Sequence, residues 1–112
     1  MGLNVENMNK LADHIEALPR GAYKQHLSGV FSDTGCGCIC HYAGILSGNL
    51  KYDGGGLAVN YESASSKWMG TSMSQWRVLY LEHEWPAKFR KNLIPTAKTA
   101  AARIRHMIET GE

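Results

Sequence analysis

Long apolar runs are missing from this chain. None approaches the roughly 20 residues a membrane-spanning helix needs, so the sequence predicts a protein that stays out of the bilayer. A charge excess is missing too. Twelve Lys and Arg stand against ten Asp and Glu, a formal net charge of +2, which fits neither a polybasic binder nor an acidic mimic of nucleic acid. Residues 1–7 are polar and carry no apolar stretch of the kind a secretory signal contains. Gly2 hints at myristoylation, but Glu6 stands where that motif wants Ser or Thr. Cysteine is limited to Cys36, Cys38 and Cys40. An odd number of thiols at i and i+2 does not bridge easily, so the pattern suits a reducing cytoplasm better than a disulfide scaffold. There are no internal repeats and no low-complexity segments. At 112 residues the chain is read as one domain, residues 1–112, large enough for a real core but too short for a separate cofactor-binding fold.

What is present is helical periodicity. Val5, Met8, Leu11, Ala12, Ile15 and Leu18 recur at three- and four-residue steps, predicting an amphipathic helix over 4–18 with Asn4 as its cap and Pro19 as its stop. A helix over 36–46, apolar nearly all round, is expected to lie centrally. A short helix over 62–69 ends at Gly70. Ser72 and Gln75 form a capping-box pattern for a helix running from Met73 toward Trp85, with Met73, Trp76, Leu79, Tyr80 and His83 in one stripe and Val78, Leu81 and Trp85 in another, both expected in the core. Pro86 closes it. Thr96 caps a last helix that buries Ala97, Ala100, Ala101, Ile104 and Ile108 and ends at Gly111. Asp53-Gly54-Gly55-Gly56, between 50–52 and 57–61, reads as the turn of a small β-hairpin or as a loop. The expected fold is mainly α: a compact bundle of four to five helices with a small Gly-rich β-hairpin or loop.

Three readings compete for function. Cys36, Cys40 and His41 have metal-ligand chemistry, yet C-x-C-x-C-H lacks the second ligand pair of common zinc sites, so no metal or other cofactor is expected; if one is present, these three residues are its ligands. A thiol nucleophile is the related option, with His83 or His26 as base for Cys40, since adjacent helical residues such as Cys40 and His41 diverge by about 100°. The plainer reading makes the thiols small packing groups. The third feature is a basic C-terminal segment: Lys88, Arg90, Lys91, Lys98, Arg103 and Arg105 follow Pro86 with no acidic residue before Glu109. Lys98, Arg103, Arg105 and His106 are expected on the solvated face of the last helix. Together with any exposed tryptophan among Trp68, Trp76 and Trp85, these cations form the candidate binding surface, because Trp and Arg dominate interface hot spots.

Cys36-Gly37-Cys38-Ile39-Cys40-His41-Tyr42-Ala43-Gly44, then Trp68-Met69-Gly70-Thr71-Ser72, then Leu79 through Pro86 resemble a group of short uncharacterised phage and bacterial proteins. Their pattern is a CGTxxCxxG-like motif, an LGLS-like turn and an LFxxxxWP-like ending. His41 occupies the place of that pattern's second cysteine, and Cys38 that of its threonine. The resemblance implies a compact helical fold and a phage or mobile-element setting. The expected function is a non-enzymatic cytoplasmic interaction protein that binds a host protein or ribonucleoprotein, an anti-CRISPR or other anti-defence inhibitor being the concrete version. The alternatives are a metal-dependent or thiol enzyme using residues 36–41, and a nucleic-acid-binding regulator using the basic segment.

Overall fold

A computed structural model describes residues 2–19, 21–23, 39–48, 52–53, 56–57, 61–89 and 96–112. Among them are five α-helices: α1 (Val5–Glu16), α2 (Ile39–Leu46), α3 (Tyr61–Met69), α4 (Met73–Tyr80) and α5 (Ala97–Thr110). None is long and apolar enough to cross a membrane. Tyr52–Asp53 (β1) and Gly56–Leu57 (β2) pair antiparallel, Tyr52 opposite Leu57. This two-residue ladder falls short of the hairpin read from the sequence. Tyr61, expected to close its second strand, instead begins α3.

The core forms where α1 lies against α5. Met8, Leu11, Ala12 and Ile15 from one meet Ala100, Ala101, Ile104 and Met107 from the other, all fully buried. Alanines at two successive α5 positions let the helices approach closely, and the larger side chains interdigitate around them. Each helix is closed as its sequence directs. The Asn4 side chain accepts from the Asn7 N–H at 3.0 Å, and the Thr96 side chain accepts from the Thr99 N–H at 3.2 Å, leaving fewer free amides in each first turn. Gly111, in the left-handed region at φ 78°, ends α5. Across the outer edge, Arg105 on α5 donates to Glu16 and Asp13 on α1, each at 2.8 Å. Hydrogen bonding to Glu16, joined by Asp13 and opposed by partial burial, raises the pKa of that guanidinium. The group is over a third exposed, so the pair contributes at most about 1 kcal/mol and weakens with salt.

The remaining helices complete the core. Ile39, His41, Tyr42, Ala43 and Gly44 of α2 are buried, and the Tyr42 hydroxyl donates to the Ala22 carbonyl at 2.7 Å. Ile45 is exposed, so α2 is not buried on every side. The end of α3 is tied to the start of the chain: the Asn4 N–H donates to Met69 O and Asn7 Nδ2 donates to Trp68 O, both at 2.8 Å. These bonds satisfy carbonyls that a helix end leaves open.

The helix beginning at Met73 is shorter than its sequence suggests. It stops at Tyr80, and a 3-10 turn, Glu82–Glu84, follows. Trp85 then adopts extended backbone (φ −65°, ψ 146°) ahead of Pro86, as that position requires. Its indole Nε1 donates to the Val78 carbonyl at 2.7 Å, the oxygen that the next helical turn would have used. Glu82 turns inward, only 2% exposed, and accepts from the Tyr23 hydroxyl at 2.6 Å. The expectation that α4 is apolar and covered on two sides is therefore corrected. Trp76 and Leu79 are buried, whereas Met73 is 70% and Val78 39% exposed.

Candidate functional site

The basic surface expected from the sequence is only partly assembled. Lys88 and Lys98 are exposed. Arg90 and Lys91 lie outside the described residues. Trp85 is buried with its N–H spent on Val78, and Trp68 is half-buried against the core. Lys88, Phe89, Ala102, Arg105, His106 and Glu109 line a shallow hollow of about 340 Å³. Phe89 is its floor, with Lys88 Nζ 5.1 Å and the His106 ring 5.4 Å from the ring centroid. The charge there is largely compensated. Arg105 is engaged by Asp13 and Glu16, and Glu109 lies on the rim. Little field remains to attract phosphates.

Arg103 departs furthest from expectation. It is 5% exposed, on the buried side of α5 between Ala100 and Met107, and not on a solvated basic face. Its guanidinium lies against the Phe89 ring, 5.7 Å from the centroid, and Nη2 donates to the main-chain oxygen of Glu112. Nε and Nη1 are buried and meet no acceptor among the described residues. Burial accordingly lowers the pKa of this group. A buried cation so sparsely bonded opposes folding, and an unbranched apolar side chain of similar length relieves the cost. Arg103→Met is expected to raise the unfolding free energy by about 1–2 kcal/mol, read as a higher urea midpoint at unchanged slope. A lower midpoint would show that the guanidinium contributes to stability.

The thiol cluster is placed only in part. Cys36 and Cys38 lie outside the described residues, as do the side chains of Cys40 and His83. His41 is buried, with its ring edge-on to Tyr42 at 5.0 Å between centroids. Among the described residues no three His, Cys, Asp or Glu side chains are arranged to hold a metal ion.

A surface the sequence reading assigned to the core is open. Met73, Ser74, Trp76, Arg77 and Tyr80 line a hollow of about 230 Å³ along α4. Positions 73, 76, 77 and 80 share one helix face. Trp76 and Tyr80 meet edge to face, 6.4 Å between centroids and 61° between planes, a packing that fixes both rings. Arg77 is exposed and has no acidic partner among the described residues. The signal was available in the pattern: Met73, which opens the first stripe, has Arg77 at i+4, so the edge of that stripe has no reason to be covered. Ser74 and Arg77, flanking Val78, mark the wet face.

Comparison of the chain with known protein families, curated proteins and solved structures finds no match.

Proposed function

We propose that this chain is a small non-enzymatic interaction protein that works by binding a macromolecule, and that it does so through the exposed face of α4. The observation carrying this reading is the exposure of Met73 beside Arg77 and Tyr80 around one hollow on a short helix, with Val78 also exposed on the same element. A flexible thioether, a phenol and a guanidinium around a small hollow match the composition of interface centres. The basic segment is the weaker surface, because Arg103 is buried and Arg105 is already paired. A host partner and an anti-defence role rest on the resemblance in residues 36–44, 68–72 and 79–86, and they narrow the class of partner to seek.

The test is recovery of partners from bacterial lysate on immobilised protein. Met73→Glu combined with Val78→Glu is expected to weaken the principal partner about 30-fold, the consequence of losing roughly 2 kcal/mol at a hot spot. Circular dichroism should show the fold retained, since both side chains already face solvent. Lys88→Glu with Lys98→Glu is expected to change recovery little. The reverse pattern would move the contact surface to the basic segment and favour the nucleic-acid or acidic-surface reading.

A further inference from the structure

The hollow on α4 also specifies what it takes. We infer that it receives a short acidic, amphipathic segment of a partner protein, which inserts one aliphatic or aromatic side chain between Met73, Trp76 and Tyr80 and pairs a carboxylate with Arg77. This rests on the reading of α4 as the contact face and names the partner's chemistry.

Three observations carry it. The hollow, about 230 Å³, is smaller than the roughly 300–1,000 Å³ of small-molecule sites, so it suits one anchoring side chain and not a free metabolite. Its walls are an aromatic pair in fixed geometry and a methionine that is 70% exposed and free to adapt. The single formal charge among its lining residues is Arg77, which is exposed and lacks an acidic partner among the described residues. Complementarity therefore calls for one carboxylate beside one apolar group. A planar guanidinium binds carboxylate through two parallel hydrogen bonds and stacks on aromatic faces. Nucleic acid would need several cations in register, and a membrane surface would need a basic rim; a single arginine supplies neither. An amphipathic helix laid along α4 presents the required pair one turn apart.

The indole N–H of Trp76 is buried and meets no acceptor among the described residues, which makes its NMR resonance a local reporter, assigned by its loss in Trp76→Phe. The probe is a two-heptad amphipathic peptide with leucine on one face and glutamate beside it. It is expected to shift the Trp76 indole resonance saturably. The same peptide with lysine for glutamate, or with serine for leucine, should bind at least tenfold more weakly. Arg77→Glu should invert the charge preference, losing the glutamate peptide and gaining the lysine one. The inference is overturned if neither peptide moves the resonance at millimolar concentration, or if the lysine or serine peptide binds equally well. It is likewise overturned if phosphatidylserine vesicles or a DNA duplex shift the resonance where the acidic peptide does not, or if dilution alone shifts it, which would mark a second copy of the chain as occupant. Loss of the lysate partner from the Met73→Glu, Val78→Glu variant with no peptide response would defeat this inference and leave the α4 contact face standing. Retention of the partner by that variant would defeat the contact face itself.

Discussion

Gly70→Ala is expected to lower the unfolding free energy by about 3 kcal/mol or more. Gly70 sits at φ +71°, and a Cβ built there would lie 2.7 Å from the Asn4 amide nitrogen and 2.8 Å from the Gly2 carbonyl oxygen. Two costs combine. The left-handed region costs a non-glycine residue about 1–2 kcal/mol. The obstructing atoms are backbone, so relief requires moving residues 2–4 and with them the Asn4 N–H bond to Met69 O. Gly21 is the control, with φ +86° and nothing among the described residues within 4 Å of its would-be Cβ. Gly21→Ala should therefore cost only the conformational share, about 1–2 kcal/mol. Urea unfolding of both variants measures the difference; equal midpoints would mean that the N-terminal segment does not cross Gly70 as described.

Ile104→Ala is expected to cost about 2–5 kcal/mol. Ile104 is fully buried in the contact between α1 and α5, on the same stripe as Ala100, Ala101 and Met107. Those neighbours are small or already packed against α1, so they cannot collapse into the space an alanine leaves. Ile108, one turn on, is only partly buried, and Ile108→Ala should cost less than half as much. Comparable losses at both positions would place the centre of the core nearer the end of α5.

The parts of this fold legible in the sequence are those fixed by local chemistry. Asn4, Ser72 and Thr96 cap the helices they were expected to cap, and the Ser72–Gln75 box is formed from both sides. Gly70 and Gly111 follow the last residues of α3 and α5, both with positive φ. The apolar stripe of α1 is the buried one. What escaped depends on neighbours distant in sequence. The helix from Met73 stops at Tyr80 because Trp85 reaches back to the Val78 carbonyl and Glu82 turns in to Tyr23, which periodicity cannot register. Arg103 was assigned to solvent because it is charged, although its spacing from Ala100 and Met107 puts it on the buried stripe. Met73 and Val78 were assigned to the core because they are apolar, although most of a folded protein's accessible surface is itself apolar and hydrophobicity alone does not locate a residue. The candidate site was lost through that step, and Arg77, its one charge, was not singled out. Arg90, Lys91, Cys36 and Cys38, on which each of the three functional readings leans in part, fall outside the described residues.

Methionine oxidation tests the contact face most directly. Met8, Met69 and Met107 are fully buried, and Met73 is open to solvent, so mild peroxide should convert Met73 to its sulfoxide well before those three in the free protein. In the complex isolated from lysate, Met73 oxidation is expected to slow at least tenfold while the buried methionines stay unreactive. Oxidation of Met73 at the same rate in free and bound protein would show that the partner sits elsewhere and would contradict the assignment of α4 as the binding face.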